Sequence, residues 1–197
     1  MKVFENFLPK VYVDTLESVI CGPDFTWNYS SGTDSIYKSS ITTIYETVNT
    51  KTKDTFQFCH SFFRNDTSVS KYFEMIYPIL FHISEIENKD YTQKMHRIKA
   101  NLITNRNDTE DCHHFAHIDL YERKAKSFLY YVNDSDGDTY FFNESWEMPQ
   151  PTELTVQKRI TPKRGTGVFF DSSQYHASSS PIKNKVRCVI NFILYDD

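Results

Sequence analysis

The chain has 197 residues, 39% hydrophobic and 16% aromatic with 13 Tyr and 16 Phe, enough for a sizeable core and far too apolar for a disordered segment. Its 5 Gly and 7 Pro write in no long linker, and a formal net charge of -4 argues against wholesale binding to nucleic acid or a membrane surface. No stretch reaches the length of a membrane span. The four cysteines, Cys21, Cys59, Cys112 and Cys188, form no Cys-x-x-Cys motif, and the first residues contain no secretory apolar run. The expectation is a reduced, cytoplasmic protein folding as a single domain over 1–197.

In chain order, Pro9 can occupy the first turn of a helix. Val13, Leu16, Val19 and Ile20 then recur at helical spacing up to Gly22-Pro23, which ends it. A polar stretch over 24–40 holds Trp27 and Tyr29, and 41–48 and 55–63 read as strands. Residues 69–86 read as an amphipathic helix with Val69, Tyr72, Phe73, Ile76, Ile79, Leu80 and Ile83 on one side and a kink at Pro78. From Arg97 the period becomes that of strands, expected over 97–104, 115–121, 126–132, 139–143, 156–160, 167–170, 175–178 and 186–194. Turn residues separate several of them, at 133–137, 162–165 and Ser180-Pro181. Short strands at this spacing predict a β-sandwich or barrel. The runs 128–132 and 186–194 are apolar on both faces, so one face meets a cavity and the other a covering layer. The class is therefore mainly β with supporting helices, 1–96 forming the support and 97–197 the β core. The basic cluster Lys158-Arg159 with Lys163-Arg164 reads as a solvated hairpin tip.

Chemistry concentrates in the second half. In a strand, residues i and i+2 share a face, so His117 and Asp119 of His117-Ile118-Asp119 point together, and His176 on a later strand can complete a three-ligand face. Two imidazoles and a carboxylate bind a non-haem Fe(II) and leave positions open for a cosubstrate and dioxygen. Alone this is a chance-prone motif. His113 and His117 have the spacing of a helical zinc pair but lack the intervening glutamate and sit in strand-like sequence. His60, His82 and His96 read as surface or packing residues. His113 and His114 are loop residues at the site mouth or without a role, and Glu110 and Asp111 are given none. Arg187 lies mid-strand in Val186-Arg187-Cys188-Val189-Ile190-Asn191-Phe192. An inward cation there must be paired, and its fork suits a carboxylate. Either the distal carboxylate of a dicarboxylic cosubstrate or an Asp or Glu of the chain would satisfy it.

With these residues in place, the sequence resembles the 2-oxoglutarate/Fe(II)-dependent dioxygenases, specifically the prolyl 4-hydroxylase-like branch and its small bacterial and marine-phage members. The resemblance covers about residues 97–195. It rests on His117-Ile118-Asp119, Phe128-Leu129-Tyr130-Tyr131-Val132-Asn133, Asp136-Gly137-Asp138-Thr139-Tyr140-Phe141, Pro162-Lys163-Arg164-Gly165 before Val168-Phe169-Phe170-Asp171, and Tyr175-His176 followed by Arg187. The N-terminal half matches only in general character. The resemblance implies a double-stranded β-helix core, jelly-roll or cupin-like, packed against N-terminal α-helices. It makes His117, Asp119 and His176 the iron ligands and Arg187 the anchor of the C5 carboxylate of 2-oxoglutarate. Tyr131 matches a tyrosine that hydrogen-bonds the same carboxylate, or it is a plain core aromatic. Asn101 stands where many relatives carry a second tyrosine, and the resemblance makes it a hydrogen-bond donor to the cosubstrate; Gly137-Asp138 stands where they carry paired glycines.

The implied cofactors are Fe(II), 2-oxoglutarate as cosubstrate and O2, with ascorbate as a reductant. The implied reaction hydroxylates a C–H bond and releases succinate and CO2. The branch favours a prolyl residue in a peptide or protein; a free amino acid or small metabolite is the alternative substrate, and a non-catalytic β-helix binding module the alternative role. A nucleic-acid demethylase of the same superfamily carries a second arginine where this chain has Ile193, so no nucleic-acid or membrane partner is expected. Tyr121, Arg123 and Trp146 line the entrance in this reading, or are surface and packing residues.

Overall fold

The computed structural model describes residues 1–33, 51–107 and 112–197; the strand expected over 41–48 and the acids Glu110 and Asp111 lie outside them. After β1 (Lys2–Phe4) comes α1 (Lys10–Ile20). Pro9 stands at its N-cap, and its buried face is Val13, Leu16 and Ile20, as the apolar spacing requires. Next come β2 (Asn28–Ser30), β3 (Lys51–Thr52), β4 (Gln57–Arg64) and β5 (Thr67–Ser68).

The β4–β5 turn delays the second helix. Asn65 and Asp66 both take positive φ, 51° and 55°, the backbone a two-residue hairpin needs and that Asn and Asp tolerate. The returning chain then bonds Val69 N–H to Phe62 O at 2.9 Å, which leaves the Val69 side chain 44% exposed rather than on a helix face. Helix begins only at α2 (Phe73–Ile76), and α3 (Pro78–Glu87) follows. Pro78 splits the expected single helix, since it has no N–H to continue the ladder but suits the first turn of a new helix. Asn88, at φ 50°, closes α3 in the left-handed conformation.

The remaining strands are β6 (Met95–Thr104), β7 (Cys112–His113), β8 (Ala125–Tyr131), β9 (Thr139–Ser145), β10 (Val156–Ile160), β11 (Gly167–Asp171), β12 (Gln174–Ser178) and β13 (Val186–Tyr195). A large sheet runs β1-β11-β8-β13-β6-β4-β2 with β5 beside β4, a small sheet runs β10-β9-β12, and β3 pairs with β7 in parallel. The two main sheets face each other as a double-stranded β-helix. Leu129, Tyr131, Phe141, Ile160, Val168, Phe170 and Val189 fill the space between them.

The outer face of the large sheet carries the helices. Leu16, Ile20, Ile76, Ile79 and Leu80 pack in one cluster with Phe128, Tyr130, Cys188, Ile190 and Phe192. Each such fully buried side chain contributes roughly 1.5–3 kcal/mol. Strand parity explains the doubly apolar runs. On β13, Cys188, Ile190, Phe192 and Leu194 face the helices while Val189 faces the inner core.

The strand expected over 115–121 does not form. In this stretch only His117 pairs, in an isolated antiparallel bridge to His176 on β12, with both backbone bonds at 2.9 Å. Two residues on, Asp119 N–H bonds Ser172 O at 2.9 Å, in the turn between β11 and β12. The chain therefore leaves the small sheet as soon as the metal-type ligands have been delivered. No helix among the described residues is long and apolar enough to cross a membrane.

Candidate metal centre

The bridge to β12 brings His117 opposite His176, and their ring centroids lie 4.5 Å apart. Asp119 reaches the same point, its Oδ2 3.6 Å from His176 Nε2. One ligating atom from each of the three residues lies within 4.8 Å of the others, a grouping that can hold a metal ion.

The surroundings prepare the donor atoms. His117 Nδ1 lies 3.2 Å from Phe115 O and His176 Nδ1 3.0 Å from Gln174 O. A carbonyl can only accept, so each Nδ1 carries the hydrogen and each Nε2 is left with its lone pair toward the centre. Burial, and then the neighbouring His117, hold the His176 pKa down to about 4, so its imidazole is neutral at pH 7. Burial pushes the Asp119 carboxyl up, but His176, Arg97, His117 and the Ser127 hydroxyl outweigh it and bring the pKa to about 2. Its side chain, 2% exposed, is thus an ionised carboxylate.

Residues without an expected role hold that carboxylate. Ser127 Oγ donates to Asp119 Oδ2 at 2.6 Å and lies 2.9 Å from Ser172 Oγ. Asn191 Nδ2 donates to both oxygens at 3.0 and 3.2 Å, and Arg97 Nη2 stands 3.4 Å from Oδ1. Asn191 Oδ1 is buried with no hydrogen-bond partner. Ser127 and Asn191 are polar side chains on the inward parity of largely apolar strands, the one sequence signal that could have found them, whereas Ser172 lies in the turn after β11 and Arg97 on a strand whose inward side also carries Lys99 and Asn101.

Arg187 lies in the same cavity as the triad and is 2% exposed. Its Nε donates to Gly137 O at 2.8 Å and its Nη2 to Thr139 Oγ1 at 2.6 Å. Gly137 makes this approach possible: a Cβ there would stand 2.6 Å from Ser179 O and 3.1 Å from Arg187 Cδ. Among the described residues no carboxylate forms an ion pair with Arg187. The nearby Asp138 is taken by Arg159 Nη2 at 2.9 Å and Thr161 Oγ1 at 2.7 Å. Burial accordingly lowers the Arg187 pKa. The charge is suited to an external carboxylate.

Tyr131 is fully buried, and burial raises its pKa to about 12. Its ring centroid lies 6.0 Å from the Arg187 guanidinium carbon, and its hydroxyl donates to Thr139 Oγ1 at 2.8 Å. Thr139 thus accepts from both Tyr131 and Arg187, which occupies its two lone pairs and leaves its own O–H to donate. Asn101 lines the cavity, its Oδ1 accepting from Cys59 Sγ at 3.4 Å.

The residues read as an entrance do not line this cavity. Tyr121 stacks on Trp146, centroids 4.3 Å apart, and Trp146 packs beside Ile118, Tyr140 and Phe142 on the outer side of the small sheet. Arg123 lies over the Tyr195 ring and pairs with Asp197. The cavity wall is instead formed by Thr33, Gln57, Arg97 and Lys99 beside the triad. His114 is buried with both ring nitrogens 3.0 Å from Ser178 and Ser180 hydroxyls, and His60 and His96 are likewise packing residues bonded to Thr26 O and Tyr195 Oη.

No family model and no curated protein matches the sequence. Solved structures do match. A prolyl hydroxylase from Trichoplax adhaerens, in complex with a peptide fragment of the hypoxia inducible factor oxygen degradation domain, aligns with TM-score 0.60 and 10% identity over 98% of this chain and 83% of its own. An oxidoreductase of the 2OG-Fe(II) oxygenase family from Burkholderia pseudomallei aligns with TM-score 0.59 and 10% identity over 94% and 78%. The non-haem alpha-ketoglutarate-dependent epimerase SnoN of nogalamycin biosynthesis aligns with TM-score 0.57 and 9% identity over 98% and 77%. At such identities the likeness shows the fold: this chain has the double-stranded β-helix of the 2-oxoglutarate/Fe(II) oxygenases.

Proposed function

We propose that the protein is a non-haem Fe(II)- and 2-oxoglutarate-dependent dioxygenase that hydroxylates a C–H bond. The observation that carries this reading is the pairing, in one cavity, of a two-histidine, one-carboxylate cluster with a buried arginine that no described carboxylate neutralises. A dicarboxylic cosubstrate needs both.

The chain's own residues do the positioning. His117 and His176 offer Nε2 lone pairs, and Asp119 offers a carboxylate fixed by Ser127 and Asn191. Arg187 holds the distal carboxylate of 2-oxoglutarate, and the spare Thr139 hydroxyl hydrogen reinforces it, with Tyr131 setting the Thr139 orientation. The inner apolar residues Leu129, Val168, Phe170 and Val189 keep water from the reacting atoms. When bound, Fe(II) couples oxidation of 2-oxoglutarate to succinate and CO2 with transfer of one atom of O2 to the substrate.

For the substrate we favour a prolyl residue in a peptide or protein. The motif resemblance over 97–195 and the fold likeness to the Trichoplax prolyl hydroxylase support it; the fold likeness to SnoN supports a small molecule. Incubation with Fe(II), 2-oxoglutarate, O2 and a proline-containing peptide library tests the choice. A mass gain of one oxygen on proline supports it, and oxygen-dependent succinate formation stimulated only by small metabolites would move the assignment to them.

A further inference from the structure

A second cavity lies at the edge of the large sheet. β2 pairs with β4 only as far as Cys59, and β5 takes up the same edge only at Phe63. Between them, beside His60 and Ser61, opens a cavity of about 530 Å³, a size common for ligand sites. The hydrogen bond from Val69 N–H to Phe62 O brings Ser70 and Lys71 to its wall, which Arg64 shares, and no Asp or Glu lines it. Arg64 and Lys71 are exposed. Among the described residues neither side chain forms an ion pair, and Lys71 Nζ lies 4.9 Å from the Tyr72 ring centroid. Two such cations around an acid-free concavity favour an anion, in a chain whose net charge is -4.

The inner rim of this cavity is in register with the metal centre. Cys59 Sγ donates to Asn101, which lines the metal-site cavity, so Cys59 and Ser61, two residues on, share the inward side of β4. Asn191 of β13 lies opposite Lys99 of β6, and Lys99 opposite Ser61. Two strand spacings set Ser61 about 10 Å from Asn191, which holds Asp119. An extended peptide advances about 3.3 Å per residue, so about three or four residues link the oxidised position to the second cavity. We infer that this cavity receives an acidic side chain of the peptide substrate on Arg64 and Lys71, about three or four residues from the hydroxylated proline. The inference rests on the prolyl-peptide reading and narrows it to acidic sequences.

The test is equilibrium binding to the anaerobic complex of the full chain with Fe(II) and 2-oxoglutarate at low ionic strength, read by calorimetry and by the charge-transfer absorbance. The probe is a nine-residue peptide with proline at its centre, alanine at the two positions on either side and glutamate at the four outer positions. Its control carries glutamine in place of glutamate. Two further peptides, with glutamate on one side only, report on which side of the proline the acid lies. The expected result is that the glutamate peptide binds about tenfold tighter than its control and that the preference shrinks as salt is added. Arg64→Gln combined with Lys71→Gln removes the preference, and Arg64→Lys combined with Lys71→Arg keeps it. Both cations are exposed, so these variants keep the fold. Equal binding of the glutamate and glutamine peptides overturns the proposal and leaves the peptide reading standing. A preference that survives the double glutamine variant also overturns it, since the acid is then held elsewhere. Binding of neither peptide overturns the proposal together with the peptide reading. Failure of the oxygenase reading is distinct: the wild-type protein would show no charge-transfer absorbance before any peptide is added.

Discussion

Replacing Arg187 with Met separates cosubstrate anchoring from folding. Arg187 is 2% exposed, and its guanidinium is held by Gly137 O and Thr139 Oγ1 without an acid partner among the described residues. Losing its two-pronged hold on a carboxylate costs about 3 kcal/mol of binding, or about a hundredfold in the Kd of 2-oxoglutarate. The consequence is measurable without turnover. At a concentration of about 100 Kd, 2-oxoglutarate stabilises the wild-type protein by about 2.7 kcal/mol, whereas the variant at the same concentration sits near its new Kd and gains about 0.4 kcal/mol. For a chain of this length that is a rise in Tm of about 5–10 °C against about 1 °C. Anaerobic thermal-shift titration with Fe(II) present reads both. Arg187→Lys keeps the charge without the fork and falls between them. An Arg187→Met protein that retains the wild-type 2-oxoglutarate dependence would refute the anchoring role.

Removing the Asp119 supports, by Ser127→Ala or Asn191→Ala, should weaken metal affinity about 10–100-fold with secondary structure unchanged, as followed by metal titration and circular dichroism. Thr139→Val should raise the 2-oxoglutarate requirement more than Tyr131→Phe does, because Thr139 alone of the two has a hydrogen left to donate; steady-state KM values for the cosubstrate compare them. Acid stability should depend on Asp196. Burial pushes its carboxyl up, but Lys89, Tyr91 and Lys124 reverse this and bring the pKa to about 2. A folded pKa below the unfolded value stabilises above about pH 4 and loses that stability as pH falls toward 2. Asp196→Asn should therefore cost about 2 kcal/mol at pH 7 and almost nothing near pH 2, by denaturant melts across pH.

Much of this was legible because strands with one face in a cavity and one under helices carry a two-residue period bounded by turn residues. The β10 strand occupies the expected 156–160, and β13 alternates between helix layer and cavity as its doubly apolar sequence implies. Where the reading failed, contacts distant in sequence decided. Phe115 to Tyr121 reads as a strand, yet only His117 pairs, because the Ser172 carbonyl takes the Asp119 and Leu120 amides and bends the chain away. The second helix starts late because the Asn65-Asp66 hairpin ties Val69 back to Phe62. Trp146 follows even-numbered Tyr140 and Phe142 to the outer side of the small sheet, a parity the sequence contains but a loop reading ignores. Ser127, Thr139 and Asn191 lie on the inward parity of β8, β9 and β13, but their targets, Asp119 and Arg187, are fixed only by sheet register.

The most direct test is anaerobic titration of Fe(II) and 2-oxoglutarate into the wild-type protein and into Asp119→Ala and His176→Ala, followed by admission of O2. The account predicts a charge-transfer absorbance and oxygen-dependent succinate formation in the wild type and neither in the two variants. A wild-type protein that shows no absorbance and no 2-oxoglutarate turnover, or variants that keep both, would contradict it.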